Sequence, residues 1–193
     1  MELMVDFISS LDGYATSEGW PGWWGLEGPE YLHWMGTQDP SGRLTLMGAN
    51  TYRLMHGMAQ EQSEGVDMLG KIDKIVFSNS LAEPLEWDNT RLIRGDAVEA
   101  VRELKEHSDR PLATLGSLAL SRSLLEAGLV DRFRVVVFPV ITGRTGDTRL
   151  YDGFPDLLLE LIETRTFDGG TQLLDYRPTV LEAPLPPGPG SGA

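Results

Sequence analysis

The chain contains no cysteine. Disulfides, thiolate nucleophiles and cysteine metal sites are therefore excluded, although the compartment is not fixed by this absence. It also lacks any run near the ~20 apolar residues that a membrane span requires. The N-terminus carries Glu2 and Asp6 instead of a basic region followed by an apolar core, so it does not read as a signal peptide. Basic residues are scarce: Lys plus Arg is 16 against 29 Asp plus Glu, a net charge of −13. Such a surface repels a phosphate backbone, so nucleic acid is not an expected partner. One local pocket can still differ from this average and take an anionic cofactor. The only histidines are His33, His56 and His107, without an HExxH spacing, so no metal site is expected. Neither GxSxG nor GxxxxGK[ST] is present, which argues against serine hydrolases and P-loop enzymes. A cytoplasmic domain without membrane association is the expectation.

What is present is an ordinary globular mixture, 41% hydrophobic and 23% charged over 193 residues. That length suits one domain with a real core. Residues 2–9, 43–47, 71–78, 90–94, 111–115 and 132–141 read as strands. Helical segments separate most of them. Asn50 is a plausible N-cap for the helix in GANTYRLMHGMAQ. Asp96 stands three residues before Glu99, a capping-box spacing for the helix over VEAVRELKEH. Two late strands flank Asp168-Gly169-Gly170, a hairpin signal. This order predicts an α/β fold: a mostly parallel central sheet, helices on both faces, and a C-terminal antiparallel hairpin. The domain is expected over 1–177, with 178–193 a Pro/Gly-rich extended or disordered tail.

Three strand-to-helix junctions carry small or polar residues: MGANTY (47–52), FSNSL (77–81) and TLGSL (114–118). In a parallel sheet all three fall at the carboxyl edge, where open α/β sheets bind ligands. Free N–H groups at a helix start suit phosphate, and glycine admits a close approach. Gly48, Asn50, Thr51, Gly116, Ser117 and Leu118 form a candidate pyrophosphate cradle. Each junction alone is better explained by chain reversal, and it is three on one edge that shift the balance toward a ligand. GRTG (143–146) reads as a turn. Asp12 stands just past the first strand. Near aromatic walls its pKa would rise, making it a proton donor or substrate anchor; alternatively it only hydrogen-bonds the Asp-Gly turn.

Together these segments resemble the dihydrofolate-reductase-like superfamily. SLDGYA (10–15), LMGANTYR (46–53), KIVFSNSL (74–81) and especially GLVDRFRVVVFPVITG (128–143) carry the likeness, and the branch is that of the C-terminal reductase domain of bacterial riboflavin biosynthesis proteins. The resemblance implies that fold, NADPH, and hydride transfer to a heterocycle or carbonyl-like group. By matched position it implies that Gly48, Asn50 and Thr51 face the cofactor phosphates. Ser78 and Asn79 would lie near the adenosine ribose and its 2′-phosphate, and Gly116, Ser117 and Leu118 would hold the pyrophosphate. Asp12 would lie near the substrate or nicotinamide. Homodimers built on late strands or helices are implied as well.

Two departures stand out. The family usually reads GRxTYE where this chain has Ala49, so an arginine for phosphate is missing. A contact of that kind is worth ~1.5–3 kcal/mol, more than tenfold in affinity. Arg53 or Arg94 are candidates to compensate. Related proteins often have GSGS where Thr114-Leu115-Gly116-Ser117 stands, so Leu115 is expected to crowd the approach.

Four of the five tryptophans fall between Gly19 and Trp34. In the superfamily this segment folds over nicotinamide and substrate. Trp20, Trp23, Trp24 and Tyr31 would then line the substrate pocket, with Trp34 following. A hydrophobic cluster or a dimer contact is the alternative. The expected activity is NADPH-dependent reduction of a flat aromatic or heterocyclic small molecule. The competing reading is a non-catalytic binder of aromatic ligands, and a weaker one is an oligomerisation module. Residues 9–35 contain no Lys or Arg, which disfavours a phosphorylated ribityl substrate.

Overall fold

The structure, a computed structural model, describes residues 1–19, 22–60 and 67–185. Trp20 lies outside the described residues. Ten strands and four α-helices follow one another along the described chain. Eight strands form one sheet: β1 (Leu3–Ser10), β3 (Leu44–Gly48), β4 (Lys74–Phe77), β5 (Thr90–Ile93), β6 (Leu112–Thr114), β7 (Arg132–Phe138), β9 (Leu157–Thr166) and β10 (Gln172–Val180). Their spatial order is β5-β4-β3-β6-β1-β7-β10-β9. The first six are mutually parallel; β10 pairs antiparallel with β7, and β9 antiparallel with β10. The expected fold class is therefore observed. β10 runs on to Val180, so residues 178–180, expected as tail, belong to the sheet. Their backbone completes the ladder with Leu157–Leu159, which a Pro-rich composition did not advertise.

Side chains alternate across the sheet and select which helix covers which face. Leu3, Val5, Leu46, Ile75, Leu112, Phe133 and Val135 share one core with Val101 of α3 (Ala97–His107) and Leu120, Leu124 and Leu125 of α4 (Leu118–Glu126). The α3 cap works as expected: the Asp96 carboxylate accepts from the Val98 and Glu99 N–H groups. On the opposite face, Val136, Phe138 and Leu173 pack under Tyr31 of α1 (Pro29–Thr37). Met47 and Val76 pack with Tyr52 of α2 (Ala49–Gln60) and with Trp87. Lys74, fully buried at the start of β4, donates to the Leu69 and Ile72 carbonyls at 2.6 and 2.7 Å and lies over the Trp87 ring. Among the described residues no helix is long and apolar enough to cross a membrane.

A second, two-stranded sheet pairs β2 (Tyr14–Ser17) with β8 (Gly146–Arg149). The sequence reading assigned a strand to neither segment. Residues 143–145 of the GRTG segment form the expected turn, and Gly146 begins β8, where it lets Tyr14 lie against it: a Cβ there would stand 2.5 Å from the Tyr14 ring.

Candidate active site

The three junctions predicted to share an edge do so. β3, β4, β6 and β1 are parallel, so Gly48, Ser78, Gly116 and Asp12 all follow carboxyl ends. From β3 the chain moves outward to β4 and β5; from β6 it crosses to β7 on the other side. The gap between the β3 and β6 tips is thus the topological switch point, the general ligand position of open α/β sheets. Its two lips touch. The Ser117 hydroxyl accepts the Gly48 N–H at 2.8 Å and lies 2.9 Å from Thr51 Oγ1. Gly116 and Ser117 both adopt left-handed backbone, φ 54° and 61°. This geometry aims the Ser117 side chain across at β3. It makes no cap bond to its own helix, so the first N–H groups of α4 have no side-chain acceptor from their N-cap. Those donors suit a phosphate.

Several expectations need correction. Asn50 is not an N-cap: α2 begins at Ala49, and Asn50 sits in the first turn, accepting from Arg53 at 3.2 Å. Leu115 does not crowd the edge. Its N–H extends the ladder to the Leu46 carbonyl, and its side chain packs with the Met47, Tyr52 and Trp87 cluster. Ser78 and Asn79 lie on the edge, but their acceptors hold the loop: Ser78 Oγ accepts from Ser80 and Leu81, and Asn79 Oδ1 from Gly95. Arg94 stands beside them and donates to the Leu81 carbonyl at 2.7 Å.

Asp12 departs furthest from expectation. Its carboxylate accepts the Ser10 hydroxyl at 2.7 Å and the Thr142 N–H at 3.1 and 3.2 Å. Desolvation alone would raise its pKa, but these two bonds hold it below the usual carboxylate range. Asp12 thus bridges the β1 and β7 tips, and its pKa moves opposite to the rise expected of a proton donor. Beside it, Leu11 and Ile141 are 64% and 71% exposed, two large apolar side chains on neighbouring tips.

The tryptophan segment divides. Trp23 and Trp24 form a short turn with φ 50° and 54°, and both pack on the α1-side core. The Trp24 ring lies 5.7 Å from Phe138, and its indole N–H reaches Ser17 Oγ at 3.1 Å. Tyr31 is buried: Trp34 stacks on it at 5.9 Å, while Phe138 and Phe167 meet its edges at 5.4 and 5.6 Å. Its ring is thus a wall filled from behind, not an open stacking surface. Burial pushes the Tyr31 phenol well up, Asp6 adds to this, and a bond from the Trp23 indole opposes it. The α1 N-terminus is fixed from across the sheet: Asp168 accepts the Glu30 N–H at 3.2 Å, and Glu30 accepts the Asp168 N–H at 2.8 Å.

Sequence reading missed two carboxylates on this side. Asp6 was read only as an acidic residue of the N-terminus, and Glu27 was not singled out. Asp6 faces α1 and pairs with Arg134, which lies over the Trp34 ring and donates to Gln38 Oε1 at 3.1 Å. An acidic residue inside an otherwise apolar strand was the available signal. Among the described residues no group of three or more His, Asp or Glu is placed to hold a metal.

This architecture defines a dihydrofolate-reductase-like α/β protein. Within that class the chain belongs to the RibD C-terminal domain family, whose profile matches residues 2–173. YyaP of Bacillus subtilis (strain 168) is 25% identical over 181 residues, covering 90% of this chain and 93% of its own. A Shewanella sp. PV-4 protein provisionally assigned to riboflavin biosynthesis superposes with a TM-score of 0.71 at 20% identity, over 93% of this chain and 99% of that one. Dihydrofolate reductase from Enterococcus faecalis, complexed with NADP(H), superposes with a TM-score of 0.61 at 14% identity, over 92% and 96% of the two chains. The resemblance read from the sequence is thereby borne out.

Proposed function

We propose that the chain is an NADPH-dependent reductase that delivers a hydride to a flat heterocyclic small molecule. The observation that carries this is the contact of Gly48 and Ser117 at the switch point, with uncapped N–H groups of α4 behind it. The residues present fit a dinucleotide. Gly48, Thr51, Gly116, Ser117 and Leu118 would surround the pyrophosphate. Ser78, Asn79 and Arg94 would meet the adenosine end, with Arg53 and Asn50 beside the phosphates on α2. From the β4 tip to the β1 tip is three strand spacings, about 14 Å at ~4.8 Å each, which brings the other end over Leu11 and Ile141. When bound, the reduced nicotinamide supplies a hydride with its electron pair to a polarised ring carbon, while one proton joins the adjacent heteroatom. Asp12 positions the two tips, and the proton comes from water. Trp23 and Trp24 help to exclude bulk solvent from the site.

Ala49 leaves the phosphate side short of one cation, so Arg53 and Arg94 carry selectivity for the 2′-phosphate in this reading. The support from the comparisons is membership in the RibD C-terminal domain family and a fold shared with reductases. The setting we propose is cytoplasmic, and the partner a second copy of the chain. The outermost strand β9 fits that partner: among the described residues no strand pairs with its outer edge, and Leu158, Leu159, Leu161 and Ile162 are exposed along it.

Tryptophan fluorescence tests the cofactor. NADPH should saturate on the order of micromolar to tens of micromolar, with NADH weaker. Absence of any response to either nucleotide, together with strong quenching by an aromatic ligand, would establish the binding-protein reading instead.

A further inference from the structure

Three Asp-Gly steps occur in the chain: Asp12-Gly13, Asp152-Gly153 and Asp168-Gly169. An aspartyl side chain followed by glycine is prone to ring closure, because no Cβ shields the glycine amide nitrogen. Closure needs a carboxyl group free to swing onto that nitrogen and an N–H that is not already bonded. The fold treats the three steps differently.

Asp12 meets neither condition. Its carboxylate accepts the Ser10 hydroxyl and the Thr142 N–H, and the Gly13 N–H donates to the Ser10 carbonyl at 3.0 Å. The Asp168 carboxylate is held by the Glu30 N–H and fills the space beside Gly28. Asp152 is exposed, and among the described residues neither its carboxylate nor the Gly153 N–H has a hydrogen-bond partner. Its turn is closed by the Phe154 N–H on the Tyr151 carbonyl at 3.1 Å, with Gly153 at φ 73°. Arg122 of α4 lies against this turn. Its Nη2 donates to the Asp152 carbonyl oxygen, and a Cβ on Gly153 would stand 2.8 Å from its Cζ. Arg122 Nε is buried and has no partner. A guanidinium edge with one bonded and one idle donor is shaped for two oxygens, and a peptide carbonyl supplies only one.

We propose that Asp152-Gly153 is a site of spontaneous covalent modification, where aspartate isomerises to isoaspartate and Arg122 receives the new carboxylate. The Gly153 nitrogen attacks Cγ of the protonated Asp152 side chain. An N–Cγ bond forms, the Cγ–OH bond breaks, and the hydroxyl leaves with the amide proton as water. The product is a cyclic imide. Water then attacks its α-carbonyl carbon, which Arg122 polarises, and the original peptide bond between Asp152 and Gly153 breaks. The main chain now runs through the side chain and is one methylene longer, with no net change of mass. The former Asp152 carbonyl becomes a carboxylate whose two oxygens meet Nη2 and Nε of Arg122. The Tyr151 ring lies against Gly13, so the altered turn presses on the one that carries Asp12.

The test ages the folded protein in heavy-oxygen water at neutral pH, returns it to ordinary water and digests it with trypsin. The three steps fall on separate peptides: 1–43, 150–165 and one that begins at Thr166. Enzymatic carboxyl methylation reads isoaspartate in each, and heavy-oxygen uptake reads turnover of the imide. The 150–165 peptide should gain isoaspartate at least about tenfold faster than the other two, the protection that one hydrogen bond to a charged group confers. Ageing in guanidinium chloride, where those bonds are absent, should erase the difference. Asp152→Glu, which cannot close the same ring, should leave 150–165 free of isoaspartate. Arg122→Gln should lower the isoaspartyl share of the labelled peptide. Equal or faster reaction at Asp12 or Asp168, no isoaspartate in any of the three, the same ranking in the unfolded chain, or isoaspartate at 150–165 in Asp152→Glu overturns the site. A share unchanged by Arg122→Gln overturns the part given to Arg122. If that variant does not fold, wild type decides: equal isoaspartyl shares in the folded and unfolded chain overturn it, and a larger share in the folded chain supports it.

Discussion

The hydroxyl of Ser117 accepts the N–H of Gly48 at 2.8 Å, across the boundary where the sheet reverses its winding. Two loops that belong to opposite halves of the fold are thereby held at a fixed separation. Ser117 takes left-handed backbone to make this bond, φ 61°, which costs a non-glycine residue about 1 kcal/mol. Ser117→Ala loses the bond and keeps the strain, so stability should fall by about 1–2 kcal/mol. Ser117→Gly loses the bond and relieves the strain, so it should unfold near the wild-type urea midpoint. Both should weaken NADPH. An Ala variant as stable as wild type would show that the hydrogen bond contributes nothing.

Asp12 gives a pH signature. Its pKa is lowered in the folded chain by Ser10 and Thr142 against the opposing desolvation. The folded state therefore binds this proton less readily than the unfolded chain, whose Asp titrates near ~3.9. The stabilisation is complete above that value and disappears as pH falls through the lowered one. Wild type should lose stability more steeply than Asp12→Asn as pH falls below about 4. Parallel acid unfolding curves for the two proteins would remove Asp12 from its role as a clip.

Gly28 is required by its neighbour, not by its own dihedral angles. A Cβ there would stand 2.4 Å from Asp168 Oδ1, the atom that accepts the Glu30 N–H. Gly28→Ala should displace Asp168 and uncap α1, at a cost of about 1–2 kcal/mol. Adding Asp168→Ala to Gly28→Ala should cost little more, since both changes remove the same cap. Full additivity in a double-mutant cycle counts against this contact.

Trp24 packs on Phe138 and bonds to Ser17, so it is a structural part of the flap. It is half-buried, so truncation should cost less than the ~3–5 kcal/mol of a sealed aromatic. Trp24→Ala should lower the unfolding free energy by about 2 kcal/mol, and Trp24→Phe by less. A Trp24→Ala protein as stable as wild type, yet impaired in ligand binding, would make the ring a ligand surface and nothing else.

The association proposed through β9 is open to light scattering. Leu161 is 54% exposed on the outermost strand. Leu161→Arg should convert a dimer to monomers while leaving the circular dichroism spectrum unchanged. A wild-type mass equal to one chain at all concentrations refutes the dimer.

Most of the main sheet was legible because its strands are apolar runs followed by helical periodicity, both of them local signals. The placement of the three junctions on one edge followed from topology once those strands were parallel. β2 and β8 were not legible. Tyr14–Ser17 and Gly146–Arg149 carry little apolar pattern, and each is a strand only because the other lies beside it, more than a hundred residues away in sequence. Asn50 was misread for a related reason: a polar residue near a helix start suits a cap or a first turn equally, and Ala49 already begins the helix. Asp6 and Glu27 were missed because their meaning depends on what covers them. Tyr31 was assigned to the pocket by its helix position, but Phe138 and Phe167, distant in sequence, close around it.

The two-stranded β2–β8 pair shares no ladder with the eight-stranded sheet, and it carries the tryptophan turn at its end. Insertions or replacements in that arm leave every main-sheet hydrogen bond in register. Exchange of the arm and its turn would accordingly alter the proposed substrate side, while the proposed nucleotide seat stays mechanically untouched. Grafting residues 14–27 from a relative is thus a modular operation, and it offers a route to altered selectivity without redesign of the core.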